Sequence, residues 1–335
     1  MDRKKTVLPL LGTAFIPGKM TDAIKEMEDE ELAEIALAEA FLFSAQPEKC
    51  AKQIEKYLMS EDIILRVTAD ILYTFVNMTL ENEKKVQKAR EDVHDLLEKV
   101  FQEQTDKEIQ AACLFTAYAV SLLIHIPLEK KVPSLNEYLR YLPMGHRMFA
   151  MHMMAHGAYL RGEYEKGIGI AQAALAMADQ LYPIPFIYLK CVEAMCQINL
   201  KRSDDAVKLI LEAWNIARLD HCVEPFIEYH SLLQGVFENG IKHQEPQIYK
   251  EVLEKVIHFS KGWRKTHNQV MEKQVTDLLT PVEFSIAMLA CRNWTNQEIA
   301  IHMKLSVNTV KRYISIIFEK LQINKREELK AFVNQ

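Results

Sequence analysis

Between residues 22 and about 260, apolar side chains recur every three or four positions, in runs separated by short breaks. That period places apolar residues on one face of a helix. Runs alternating apolar and polar, the signature of strands, are hard to find. In "MAHGAYLRGEYEKGIGIAQAALAMADQL", one helix is predicted to stop near Arg161–Gly162 and a second to start at Glu163. Tyr164, Ile168, Ala171 and Leu175 share a face of that second helix. The next unit, "CVEAMCQINLKRSDDAVKLILEAWNIARL", repeats the plan: Ser203 is placed to cap a helix whose inner face is Ala206, Ile210, Ala213 and Ala217.

Helix starts are predicted near Pro47, Lys84, Glu129, Glu163, Ser203 and Pro246, at spacings of 37, 45, 34, 40 and 43 residues. Small side chains such as Ala155, Ala158, Ala171 and Ala174 suit closely packed pairs. The unit around "GEYEKG" resembles tetratricopeptide-like repeats, whose period is about 34 residues. Most units lack that consensus, so the match is loose. The expected N-terminal domain, residues 1–260, is a stacked helix-pair solenoid, with an irregular bundle as the alternative. Residues 258–278 are polar, and Gly262 is a predicted helix break. We therefore expect a partly helical connector over 261–275 and a second domain over 276–335.

In that second domain the helix signals sharpen. Thr280-Pro281-Val282-Glu283 and Thr295-Asn296-Gln297-Glu298 both have the spacing of a capping box. Ser306 is placed to cap a third helix and Asn324 a fourth. The predicted spans are 281–292, 296–303, 307–321 and 325–333. Only Lys304-Leu305-Ser306 separates the two central helices, the length of a helix-turn-helix break. At 100° per residue, Val307, Val310, Ile314, Ile317 and Leu321 form an inward stripe on the third helix. Asn308, Lys311, Arg312, Ser315 and Glu319 lie opposite. Amide and cationic side chains at the start of such a helix can pair with base edges. The same arrangement would also suit a solvated face beside a core.

Composition adds limits. The chain has 335 residues, 49% hydrophobic and 26% charged, with only 10 Gly and 11 Pro, which fits an all-α globular protein. Its net charge of −5 argues against nucleic acid until the chain is divided. Residues 276–335 hold eight Lys/Arg against six Asp/Glu, and the remainder holds 33 against 40. No apolar run reaches the roughly 20 residues of a membrane span. The start, "MDRKKTVLPLLGTAFIPGK", is broken by Pro9, Gly12 and Pro17, so no secretory signal is expected. The six cysteines (50, 113, 191, 196, 222 and 291) form no CxxC pair and read as buried thiols of a cytoplasmic protein.

Over about 50 residues, "LTPVEFSIAMLACRNWTNQEIAIHMKLSVNTVKRYISIIFEKLQINKREEL" resembles the LuxR-type (GerE-like) DNA-binding domain. The resemblance rests on Leu279-Thr280-Pro281 with Glu283, on Thr295 to Ala300, on Ser306 with Thr309-Val310-Lys311, and on Ile317 with Lys320-Leu321. It implies a transcriptional regulator that reads double-stranded DNA in the major groove and needs no cofactor or metal. It places Lys311 where the family's recognition helix has a lysine that reaches bases or phosphates, and Ser306 and Thr309 where hydroxyls meet the backbone. Thr295, Asn296 and Gln297 open the scaffold helix. Asn308, Val310, Arg312, Tyr313, Ser315 and Lys320 complete the expected DNA-binding set. Leu329, Phe332 and Val333 stand at the family's usual dimer contact, implying a homodimer. RNA polymerase and an effector protein, peptide or small ligand are further partners this reading admits. Tyr313 stands where His is usual, Asn293 and Gln322 where Gly is common, and Ser315 where a basic or polar reader is frequent.

Other chemistry is weak. "GTAFIPGKMT" resembles a P-loop, but five residues separate Gly12 and Gly18, and Met20 follows Lys19. His152 and His156 have i, i+4 spacing, yet Met153 occupies the place of a zinc protease's glutamate. A helix-packing role is the expectation for that pair, and no catalytic set stands out. The competing class is a helical-repeat adaptor whose C-terminal domain no longer binds DNA, which the small +2 balance would suit.

Overall fold

The computed structural model describes residues 6–271 and 278–333, and among them every regular element is helical. The order begins α1 (Met20–Lys25), α2 (Glu30–Phe43), α3 (Pro47–Ile54), α4 (Ile63–Thr79) and α5 (Glu83–Glu103). It continues with α6 (Lys107–Leu123), α7 (Met144–Leu160), α8 (Tyr164–Met177), α9 (Pro183–Asn199) and α10 (Ser203–Ala217). Short helices α11 (Glu224–Glu228), α12 (His230–Leu233) and α13 (Val236–Ile241) lead to the long α14 (Pro246–Met271). The last part holds α15 (Pro281–Cys291), α16 (Asn296–His302), α17 (Val307–Leu321) and α18 (Lys330–Val333).

Starts and stops have local causes. The carboxylates of Asp29, Asp62 and Asp106 accept first-turn N–H bonds at the heads of α2, α4 and α6. Among the described residues, nine helix ends share one turn. A residue with φ between 51° and 76° stands at the cap or within three residues after it: Ala45, Glu81, His125, Gly162, Lys201, His221, Asn293, Lys304 or Gln322. The next residue's N–H then returns to the carbonyl five positions back, at 2.8–3.2 Å. Such a turn satisfies carbonyls that the helix leaves open. Only Gly162 is the residue that adopts this conformation without a steric penalty.

Consecutive helices from α4 to α10 pack on one another. Helix α4 is the centre, buried on nearly every side and touched by α2, α3, α5, α6 and α14. The stack then closes on itself. Asp220 accepts from the backbone N–H groups of Gly18 (2.6 Å) and Met20 (3.0 Å), and Val223 N–H donates to the Phe43 carbonyl (2.8 Å). The buried Glu39 carboxyl accepts from Leu10 and Leu11 N–H at 2.8 and 2.9 Å, pinning the segment before α1. All six cysteines are buried and unpaired. No described helix is long and apolar enough to cross a membrane.

Five of the six predicted starts lie within one residue of an observed one. No helix starts at Glu129. Pro127, Pro133 and Pro143 divide residues 124–143 into short turns, and α7 waits until Met144. Gly262 is no break either, since α14 runs through it to Met271. A Cβ there would lie 1.9 Å from the Met78 carbonyl oxygen, so the glycine serves a close approach of α14 to α4. Residues 261–271 thus continue α14 where a partly helical connector was expected, and the expected boundary at 276 lies outside the described residues. Ser203 is the first residue of α10 and makes no cap, because its hydroxyl bonds elsewhere. The fourth C-terminal helix is a 3-10 turn, Arg326–Leu329, followed by α18. Asn324 is not its cap: Lys325 holds that position, and Glu328 reaches back to accept the N–H groups of Asn324 and Lys325, the reciprocal half of a capping box.

Three outcomes follow. Replacing Gly262 by Ala should destabilise the protein by about 1–3 kcal/mol in chemical denaturation, through overpacking against Met78. Gln322 holds φ 53° at the end of α17. Gln322→Gly should stabilise by about 1 kcal/mol in the same assay by relieving the left-handed strain. The third outcome concerns pH. Burial holds His125 and His152 down to about 3, and pushes Glu39 and Glu224 up to about 8. The histidine contribution is complete above 6.5 and lost as pH falls through 3. The carboxyl contribution is complete below 4.5 and lost as pH rises through 8. The urea midpoint should therefore be highest between pH 4.5 and 6.5, and a midpoint still rising at pH 8.5 would contradict these assignments.

Candidate nucleic-acid interface

Helices α15, α16 and α17 form a compact trihelical unit. Thr280 and Thr295 both close capping boxes, each hydroxyl accepting from the N–H of the glutamate three residues on. Lys304, at φ 52°, turns the chain between α16 and α17, and Ser306 caps α17 by accepting from Thr309 N–H at 3.0 Å. On α17, Val310, Ile317 and Leu321 are buried, while Val307 and Ile314 are partly so. The predicted inward stripe is thus the observed one.

The opposite face is exposed at Asn308, Lys311, Arg312, Ser315 and Glu319. Ser315 bonds back to the Lys311 carbonyl at 3.1 Å. Asn308, Lys311 and Arg312 have no intramolecular hydrogen bond or ion pair among the described residues, and neither does the exposed Gln297 of α16. They are an acceptor-donor amide, an ammonium and a guanidinium at the start of one helix, free to meet an external partner.

Other expected residues are already committed. Thr295 and Ser306 spend their hydroxyls on caps, and Thr309 Oγ1 lies 2.8 Å from Ser306 Oγ. Asn296 Oδ1 accepts from Arg326 at 3.3 Å. Lys320 donates to both carboxylate oxygens of Glu283, at 3.0 and 2.7 Å. Burial alone would raise the Glu283 pKa, but Lys320 and the Thr280 amide hold it below the usual carboxylate range. Val310 is wholly buried and cannot touch DNA, and Tyr313 packs half-buried against the core. Leu329 and Val333 also face the domain's own core. Of the three residues expected at a dimer contact, only the half-buried Phe332 keeps surface to offer.

The trihelical unit is also docked on the helical domain, through residues that sequence reading passed over. His302 Nε2 lies 2.8 Å from the Gln234 carbonyl, and Nδ1 lies 2.7 Å from Ser203 Oγ. A carbonyl only accepts, so Nε2 carries the proton and Nδ1 accepts from the hydroxyl. Burial lowers the His302 pKa, with the Gln234 carbonyl opposing, and the ring is neutral. Asn239 Nδ2 donates to the His302 carbonyl at 2.5 Å. Lys201 pairs with Glu298 at 2.7 Å, which with the Thr295 amide draws that carboxyl down to about 2. Arg292 donates to Tyr159 Oη at 2.8 Å, and Gly235, at φ +89°, lies against Met303. These partners are 63 to 133 residues apart in sequence, so no local pattern announces them.

His152 and His156 do lie on one helix, but among the described residues no group of three His, Cys, Asp or Glu side chains is placed to hold a metal ion.

Comparison with known proteins agrees with this geometry. Residues 277–333 match the family described as "Bacterial regulatory proteins, luxR family". The chain is 24% identical over 146 residues to the HTH-type transcriptional regulator MalT of Serratia proteamaculans, covering 39% of this chain and 16% of that protein. It is 24% identical over 137 residues to the response regulator protein VraR of Staphylococcus saprophyticus, covering 39% of this chain and 66% of the relative. The chain thus spans about a sixth of the first and just under two thirds of the second. No solved structure matches it. With the capping boxes, the short turn at Lys304 and the buried α17 stripe, the match identifies residues 277–333 as a LuxR-family helix-turn-helix domain.

Proposed function

We propose that the protein is a sequence-specific DNA-binding transcriptional regulator whose helical N-terminal domain senses a protein, peptide or small-molecule signal. One observation carries the DNA reading: Asn308, Lys311 and Arg312 are exposed and unpartnered on α17, on the side turned away from its buried stripe. Laid in the major groove, Lys311 and Arg312 offer donors to guanine O6 and N7, and the Asn308 amide can donate to adenine N7 while accepting from its N6 amino group. Gln297, Thr295, Ser306 and Thr309 would flank them and face the phosphate backbone. The overall acidity is no obstacle, since only this face meets DNA. A dimer on a two-fold site would use Phe332 and the exposed side of α18.

The sensing role is supported by the docking of α15 and α16 on the helical domain. A signal that reshapes Gln234, Asn239 or Ser203 changes the seat of His302 directly. DNA affinity and signal affinity would then be linked reciprocally.

Genome-wide mapping of bound sites tests the DNA reading, and titration of the purified protein on a recovered site tests the residues. Affinity should fall steeply as salt rises, because each neutralised phosphate releases counterions. Lys311→Ala should weaken binding by about 1–3 kcal/mol if the lysine reads a base. Unchanged affinity in that variant would remove the role given to Lys311. A map with no enriched sites would leave the chain a helical adaptor.

A further inference from the structure

Between its helices the helical domain holds a partly open cavity of about 60 Å³ that the DNA reading does not use. Its walls come from α4, α6, α7, α9, α11, α12 and α14, and Phe284 of α15 also lines it. Aromatic rings dominate. Tyr188 and Tyr229 meet edge-on at 5.9 Å, and Trp263 lies edge-on to His125 at 5.2 Å. Among these rings stand the imidazoles of His125, His152 and His156. His152 Nε2 is 2.7 Å from Tyr229 Oη, which in turn is 3.4 Å from His156 Nδ1. The chain of bonds stops there. His156, 2% exposed, has no partner for Nε2, and Nδ1 of His125 is buried and unpaired too.

A buried polar atom left unbonded costs about 1–3 kcal/mol, so these nitrogens favour an occupant that bonds them. Burial keeps the rings uncharged, the His156 pKa being well below its ordinary value. Burial and the neighbouring Glu224 raise that of Glu228, whose carboxyl takes the Tyr188 hydroxyl at 2.7 Å. Arg264, the cation on this wall, already has a partner. A charged guest would shed its water and find no free opposite charge.

A groove of about 390 Å³ lies on the far side of one wall, and Leu122, His125 and Met153 line both spaces. His125 occupies the left-handed turn that ends α6. Met153 is unbranched and flexible, so its movement would join cavity to groove. That matters because benzene needs a cavity of about 150 Å³.

We propose that this cavity binds a small uncharged aromatic or heteroaromatic molecule with a hydrogen-bonding group on its ring, entering past His125 and Met153 and bonded by His156. The inference deepens, and rests on, the reading of the helical domain as a sensor. Through Phe284 the guest would touch the DNA-reading domain itself.

Titrating 4-fluorophenol into the full chain, followed by fluorine NMR of the probe, tests it. Saturable one-to-one binding is expected, with fluorobenzene and the anion 4-fluorobenzoate each at least tenfold weaker. His156→Phe should bring 4-fluorophenol down to the level of fluorobenzene. No saturable binding to the unaltered protein, or equal binding of all three probes, overturns the proposal without recourse to a variant. The measurement uses no DNA, and Lys311→Ala should leave it unchanged. Failure of the DNA reading and failure of this site are therefore separately visible.

Discussion

The architecture depends on how its helices stop. A helix that ends inside a protein leaves carbonyl oxygens that need donors, and nine of these ends find them in the same way. The chain steps into a left-handed residue and hands the next N–H back across the last turn. Where the next helix starts directly, as after Glu81, Gly162 and Lys201, this short turn lays successive helices side by side. Within the α4-to-α10 stack the device ends α4, α6, α7 and α9, and it also makes the break between α16 and α17, whereas α5 and α8 run out into extended backbone. Eight of the nine use a residue other than glycine, accepting strain in exchange for a side chain at the corner. At His125 and Lys304 that side chain reaches a cavity wall and the Asn239 carbonyl, respectively.

This economy explains what could and could not be read from sequence. Helix starts were legible because their signals are local: Thr280 and Thr295 announce capping boxes, and Pro47 and Pro246 stand first in their helices. Ends were harder, since glutamate, lysine or histidine at a corner looks like any polar residue. Gly262 misled for the complementary reason. Its lack of a side chain serves a tertiary contact with Met78, 184 residues away, which no local window contains. Proline spacing between 124 and 143 overrode the helix expected at Glu129.

The candidate interface shows the same division. The inward and outward stripes of α17 followed from periodicity alone, including the exposure of Asn308, Lys311 and Arg312. Which polar groups remain available did not. Lys320 and Asn296 look no different in sequence from Lys311 and Asn308, yet Glu283 holds one and Arg326 bonds the other. The docking role of the set around His302 was invisible, because Ser203, Gln234 and Asn239 lie 63 to 99 residues from it in sequence. Ser203 was noticed for capping, a role its contact with His302 replaces.

The clasp between Asp220 and the amides of Gly18 and Met20 bears on the order of events during synthesis. Residues near 18 leave the ribosome about 200 residues before their partner does. Glu39 can steady Leu10 and Leu11 early, but the seam that closes the stack forms only when α10 has been made. The acidic residue at 220 is thus a late fastener: it joins the head of α1 to the turn after α10, two parts of one domain made about 200 residues apart.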